Sequence, residues 1–171
     1  MVEEGTPHVD GVRESFEGFY ARELRAVIGL AYVLSGSRSG AEDLAQEGFI
    51  AAYRYWERIS RYDDPGAWVR RVVANRAVSG FRRNRAESRA MRRIKSERIE
   101  FPHIPEDSEF IWREVRKLPT RQAQATALFY FDQRTIPEIA RILGCSESSV
   151  KTHLTRAKET LARSLSPKDL L

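Results

Sequence analysis

The strongest constraint on this chain is a run near its end, TIPEIARILGCSESSVKTHLTRAKETLAR, residues 135–163. Ile136, Ile139, Ala140 and Leu143 recur at the spacing of one apolar helix face. Thr135 followed three residues later by Glu138 is a capping box. Pro137 is tolerated in a first turn, where its missing N–H would have no helical partner. Gly144 predicts a left-handed C-cap, and Ser146 predicts the cap of a second helix. Val150, Leu154, Ala157 and Leu161 give that helix its own apolar stripe. Two short helices joined at a glycine turn, with the small Ala140 at their crossing, form a helix-turn-helix, a geometry that places its second helix in the DNA major groove.

The opposite face of the second helix carries Ser148, Thr152, Thr155, Arg156, Glu159 and Arg163, flanked by Lys151 and His153. A solvated helix usually shows longer Glu/Lys pairs there. Thr hydroxyls instead permit close approach to base edges, and an Arg fork can grip a guanine edge with two bonds. The candidate DNA-reading residues are therefore Ser148, Lys151, Thr152, His153, Thr155 and Arg156.

Charge is unevenly placed. The first fifty residues hold nine acids against four arginines, whereas residues 69–98 hold eleven Arg or Lys against Glu87 and Glu97. Such a basic block is the footprint of a polyanionic partner. Its arginines Arg70, Arg71, Arg76, Arg82, Arg83 and Arg85 are expected to neutralise phosphates. The single cysteine, Cys145, argues for a reducing compartment without a disulfide framework. No apolar run approaches membrane-spanning length, and the acidic first residues do not read as a signal peptide. The expectation is a cytoplasmic protein without direct membrane insertion.

Three helical stretches precede the basic block, at residues 13–34, 39–58 and 65–85. Ser39 with Glu42 predicts a cap for the second, and Asp64 with Pro65 opens the third. No segment alternates with period two, so the expected class is all-α. Residues 86–107 end in Pro102 and Pro105 among polar residues, the composition of a linker. In the segment that follows, Trp112, Val115 and Leu118 share one face. Pro119 breaks that helix, Thr120 is expected to cap the next, and Ala123, Ala127 and Phe131 continue the core. The second stretch is apolar nearly all round, which predicts burial of Phe49, Ile50, Tyr53 and Trp56 within its own bundle.

Three motifs in order now point to one family. AEDLAQEGFIAAYRYWERI resembles region 2.2 of the extracytoplasmic-function group of bacterial sigma factors. DDPGAWVRRVVANRAVSGFRRNR resembles regions 2.3 and 2.4. LPTRQAQATALFYFDQRTIPEIARILGCSESSVKTHLTRAKETL is similar to region 4. The resemblance implies two small helical domains joined by a flexible linker: sigma-2 over 10–85, the linker over 86–107 and sigma-4 over 108–166. It implies binding to core RNA polymerase, through its beta-prime and beta subunits, and to promoter DNA. Asp43, Leu44, Gln46 and Glu47 would meet the polymerase. Ser60, Arg61, Tyr62, Asp63, Trp68, Arg71, Asn75, Arg82 and Arg83 would serve −10 recognition and melting. Lys151, Thr152, Thr155 and Arg156 match −35-reading positions, with departures at His153 and Thr155, where relatives often carry a basic or aromatic residue. An anti-sigma factor is a further expected partner.

No catalysis is expected. His8, His103 and His153 are scattered without metal-ligand spacing, and neither a phosphate loop nor a nucleophile elbow is present. Neither a cofactor nor a metal is called for. The alternative reading is a stand-alone helix-turn-helix regulator that dimerises through its N-terminal half and binds palindromes unaided.

Overall fold

The computed structural model describes residues 13–80 and 99–165, and every regular element among them is helical. The N-terminal module is built from α1 (Phe16–Ser35), α2 (Arg38–Arg54), the single turn α3 (Trp56–Ile59) and α4 (Pro65–Gly80). The Ser15 hydroxyl caps α1 by accepting the Gly18 N–H at 3.1 Å. The α2 cap lies two residues before the expected Ser39. Ser37 has the extended backbone a cap needs and accepts the Gly40 N–H at 3.1 Å, while Ser39 falls inside the first turn. Asp64 Oδ1 accepts the Ala67 N–H at 3.0 Å as α4 begins at Pro65.

The core of this module is an interleaving of α1, α2 and α4. Phe19, Val27, Ile28 and Ala31 meet Ala41, Ala45, Phe49 and Ala52, with Ile59, Val69 and Val73 closing the bundle. Small residues on α2 let the helices approach closely. The continuous helix expected over 39–58 is interrupted at Tyr55 (φ −112°, ψ 19°), where α2 stops and α3 starts.

The C-terminal module holds α5 (Glu109–Val115), α6 (Thr120–Thr126), α7 (Ile136–Leu143) and α8 (Glu147–Ser164), after one 3₁₀ turn at Glu106–Ser108. Thr120 is the first helical residue of α6 rather than its cap. Pro119 occupies the cap position with extended backbone and has no side-chain acceptor to offer. α6 runs into a widened π turn, Ala127–Phe131, closed by the Asp132 N–H bonding back five residues to the Ala127 carbonyl at 3.1 Å.

The helix-turn-helix forms as its sequence predicts. Thr135 and Glu138 make both halves of the capping box. Gly144 takes the left-handed conformation (φ 66°) in which a side chain would be strained. Ser146 caps α8 by accepting the Ser149 N–H at 3.1 Å.

The two modules share a second core. Leu30, Val33 and Leu34 of α1 and Ala74 and Ala77 of α4 join Trp112, Val115, Leu128, Ile139 and Leu143. Gly29, in the middle of α1, is a point of close approach. A Cβ there would stand 2.6 Å from Pro102 Cγ and 2.7 Å from the Phe131 ring. A mid-helix glycine costs about 0.5–1 kcal/mol relative to alanine, and here the return is contact between modules. Polar contacts also cross the seam. Gln124, itself buried, donates to the Ala74 carbonyl at 2.8 Å, and Arg116 donates to the Val33 carbonyl at 3.1 Å. Of the expected linker, residues 86–98 lie outside the described residues. Its remainder packs on the N-terminal module, with Phe101 6.0 Å from the Tyr32 ring and Arg38 stacked over Phe101 at 4.9 Å.

The capping box has a pH signature. The Thr135 backbone N–H, then its hydroxyl, hold the Glu138 carboxyl below its ordinary pKa, assisted by the Arg134 charge and against partial burial. A depressed carboxylate contributes stability above its unfolded pKa, about 4.3, and loses it as pH falls through the lower folded value. Thr135→Ala is expected to cost about 1 kcal/mol at pH 7, with the deficit shrinking below about pH 4.3. Urea unfolding at both pH values checks this, and a deficit independent of pH would rule out a share for the bond from the Thr135 hydroxyl to the Glu138 carboxylate.

Candidate nucleic-acid interface

Helix α8 is anchored by one side and offers the other to solvent. Val150 and Ala157 are buried, and Leu154 and Leu161 pack partly against the shared core. That orientation leaves Ser148, Lys151, Thr152, Thr155 and Arg156 exposed on one face, with His153 half-buried at its edge. The Thr152 hydroxyl donates to the Ser148 carbonyl at 3.0 Å, and its oxygen keeps the capacity to accept. Arg156 makes no hydrogen bond or ion pair among the described residues. Burial, then the charges of Arg121 and Arg156, lower the His153 pKa, so near neutral pH its ring is uncharged. The face combines two cations, hydroxyls and a neutral imidazole, with exposed carboxylates only towards its two ends, at Glu147 and Glu159.

A second concave surface lies on the N-terminal module. The turn after α3 exposes Arg61, Tyr62 and Asp63, with Ser60 half-buried and its hydroxyl bonded to the Glu57 carbonyl. With Trp68 and Arg71 of α4 they line a cleft of about 450 Å³ whose far wall is Arg141 of α7. Trp68 is half-buried and packs against the edge of the first core, while Val69 and Val73 supply the inward face of α4. Its ring meets Tyr55 edge-on at 6.5 Å, and Arg58 stacks on Tyr55 at 5.4 Å. The break at Tyr55 turns this ring out of the α2 stripe and towards the cleft, which a helical period assumed continuous through 58 could not reveal. Asn75 is exposed on α4. Arg82, Arg83 and Arg85 lie outside the described residues.

The basic block divides. Arg70 is not available to phosphate, contrary to the reading from sequence. Its side chain is 1% exposed and lies between Glu23 at 2.6 Å and Asp132 at 2.7 Å. Burial would lower its pKa, but the bond and charge of Asp132, followed by Glu23, outweigh this and leave it raised. Arg71 is exposed, and Arg76 makes a solvent-exposed pair with Glu47 at 2.5 Å. The cause of the misreading is helical phase: Arg70 and Arg71 are adjacent in sequence but about 100° apart around α4.

The third surface is α2. Asp43, Gln46 and Glu47 are exposed, while Leu44 is half-buried and touches both cores. Ile50 and Tyr53 were expected inside the bundle and instead are 45% and 64% exposed. Only Phe49 is buried and Trp56 half-buried, because Ala41, Ala45 and Ala52 fill the inward stripe and leave no room for a second one. Ile50 and Tyr53 thus extend the acidic stripe of Asp43 and Glu47 by two turns with apolar surface.

Comparison with known proteins gives the family and the fold. The family model for sigma-70 region 2 matches residues 19–87, and that for sigma-70 region 4 matches residues 111–161. The ECF RNA polymerase sigma factor SigM of Mycobacterium tuberculosis is 29% identical over 92% of this chain and 81% of its own length. SigW of Bacillus subtilis is 26% identical over 80% of this chain and 81% of its own. This chain belongs to the sigma-70 family, in its extracytoplasmic-function group. The fold is also that of solved sigma factors. RpoE of Bartonella quintana, in complex with the anti-sigma factor NepR, superposes with a TM-score of 0.67 at 21% identity over 86% of this chain and 94% of that one. CnrH, in complex with the cytosolic domain of CnrY, superposes with a TM-score of 0.63 at 22% identity over 86% of this chain and 85% of that one. The family is one of transcription initiation factors, and among the described residues of this sigma factor no helix is long and apolar enough to cross a membrane.

The two kinds of arginine on α4 predict opposite responses. Arg70→Ala leaves two buried carboxylates without their partner and is expected to cost about 3–5 kcal/mol. Arg76→Ala removes an exposed pair and is expected to change stability by less than about 1 kcal/mol. Denaturant titration of the two variants checks this; equal losses would mean that Arg70 is solvated.

Proposed function

We propose that this sigma factor binds core RNA polymerase and directs it to promoters that carry specific −35 and −10 elements. The carrying observation is that one chain holds an exposed face of short hydroxyls and cations on α8 and an aromatic, cationic cleft beside Trp68, within the segments that match regions 4 and 2. In this reading Lys151, Thr152, Thr155 and Arg156 contact the −35 element, with Ser148 and His153 at its margins. Arg61, Tyr62, Asp63 and Trp68, with Ser60 behind them, receive a base extruded from the −10 element. Arg71, Asn75, Arg82 and Arg83 hold the adjoining strand.

The energetics favour a large partner. Extruding a base costs a few kcal/mol, and stacking returns about 1–3 kcal/mol per base. A chain of this size has little surface left with which to bend and open a duplex. Polymerase supplies it, and the exposed α2 face of Asp43, Gln46, Glu47, Ile50 and Tyr53 is the surface proposed to dock. An acidic stripe that ends in apolar residues suits a basic helical partner with an apolar centre. The chain acts where polymerase acts, in the cytoplasm. An anti-sigma factor is proposed to hold it inactive, on the strength of relatives solved in such complexes.

Run-off transcription tests the function. Promoter-specific transcripts are expected only when core enzyme and this chain are both present. A homodimer that occupies palindromic DNA without polymerase would overturn the proposal. Within that assay, Arg156→Ala is expected to cost about 1–3 kcal/mol at the −35 element and relax selectivity at one base pair. Uniform loss on all sequences would restrict Arg156 to phosphate contact.

A further inference from the structure

Arg121 lies outside the helix-turn-helix, in the first turn of α6, yet its side chain reaches across to it. Its Nη1 donates to the Leu143 carbonyl at 3.1 Å and to the Gln124 side-chain oxygen at 3.3 Å. Leu143 is the last residue of α7, where carbonyls lack helical partners and a cation is favoured. These bonds hold the guanidinium beside the turn that leads into α8. Arg121 remains exposed, and among the described residues its Nε and Nη2 have no hydrogen-bond partner and no carboxylate pairs with it.

His153 faces this guanidinium. It is half-buried on the flank of α8, three residues before Arg156 and so beside it on the helix surface. Helices α5, α6 and α7 all pack on α8. The charges that act on the imidazole are Arg121 from α6 and Arg156 from α8 itself, while α5 and α7 bring none among the described residues. Two cations thus converge on one ring with no carboxylate to compensate them. Such a cluster repels itself in the free protein and is relieved when an anion enters.

Helix dimensions point to the anion. An α-helix with its side chains is about 10–12 Å across, and the major groove of B-form DNA is about 12 Å wide. A helix that fills the groove turns one stripe to the base edges and its flanks to the phosphate walls. On α8 the stripe is Thr152, Thr155 and Arg156, whereas His153 lies on a flank, with Arg121 beside it.

We propose that Arg121 and His153 together hold one phosphate on the wall of the −35 major groove, so that α6 as well as the helix-turn-helix grips the promoter backbone. The inference rests on the proposed reading of the −35 element by α8. Nε and Nη2 of Arg121 point along one edge of the guanidinium and can donate in parallel to two phosphate oxygens, while Nη1 keeps the Leu143 carbonyl. His153 donates a ring N–H. The phosphate charge favours the imidazolium, so binding takes up a proton at any pH between the free and the bound pKa of His153. Affinity therefore rises as pH falls through the bound value and levels off below the free one.

Holoenzyme assembled from core polymerase and the full-length chain tests this, titrated with promoter fragments that carry an intact or a substituted −35 element. Arg121→Ala is expected to lower the slope of log affinity against log salt by about 0.9, and to weaken binding to both fragments alike. Arg121→Lys is expected to restore the slope. Arg121→Gln, which keeps a donor without the charge, carries the same expectation as Arg121→Ala should that variant lose helix by circular dichroism. The ratio of wild-type to His153→Gln affinity is expected to rise at least threefold between about pH 8 and about pH 6. An unchanged salt slope overturns the proposal, and so does a ratio that stays flat with pH. A loss confined to the intact −35 fragment also overturns it, because Arg121 would then act only by positioning α8. Wild-type holoenzyme that treats the two fragments alike sinks the proposed function and this inference with it, whereas −35-dependent binding with an unchanged slope sinks this inference alone.

Discussion

The burial of one arginine organises this molecule. Arg70 sits where α1, α4 and the turn before α7 converge, and it can be there only because carboxylates arrive from two directions. Its position in α4 fixes the phase of that helix: Val69 and Val73 turn into the first bundle, Ala74 and Ala77 into the second core, and Trp68 and Arg71 towards the cleft. The surface proposed to handle DNA is thus a by-product of where the buried charge must lie. The same residue ties the modules together, so local helix phase and global arrangement have one cause.

Division of labour among surfaces follows. α8 is held by a narrow apolar stripe, which frees a broad face for short polar side chains and Arg156. α2 is held by alanines and a glycine, which frees a face that mixes acids with Ile50 and Tyr53. On α2 the exposed face is wide because the buried stripe opposite is made mostly of small residues. The three surfaces lie on different helices, so a partner at one need not displace a partner at another.

Much of this was legible in the sequence, and what was not has specific causes. The capping box of Thr135 and Glu138, the Gly144 turn and the Ser146 cap are local hydrogen-bond chemistry, and they appear where spacing puts them. The α2 cap slipped from Ser39 to Ser37 because both are serines near a glycine, and only the backbone decides between them. The α2 aromatics misled because apolar residues on a helix do not reveal whether alanines have already filled the core. Arg70 was counted with its basic neighbours, since a charge in a basic run carries no mark of burial when its partners, Glu23 and Asp132, are 47 and 62 positions away. The π turn left no periodic trace at all. Of the candidate site, the reading face of α8 followed from phase alone, whereas the Tyr55 and Arg141 contributions depend on a helix break and on the docking of modules.

The seat of Phe131 on Gly29 also governs how the protein can be handled by the cell. A molecule whose halves come apart bares Phe131, Trp112, Leu30 and Val33 to water at once. Contiguous apolar surface of this kind is adhesive and invites aggregation. Separation is therefore safe only in the presence of another macromolecule ready to cover what is uncovered, and a chain made in excess of such companions does best to stay folded upon itself.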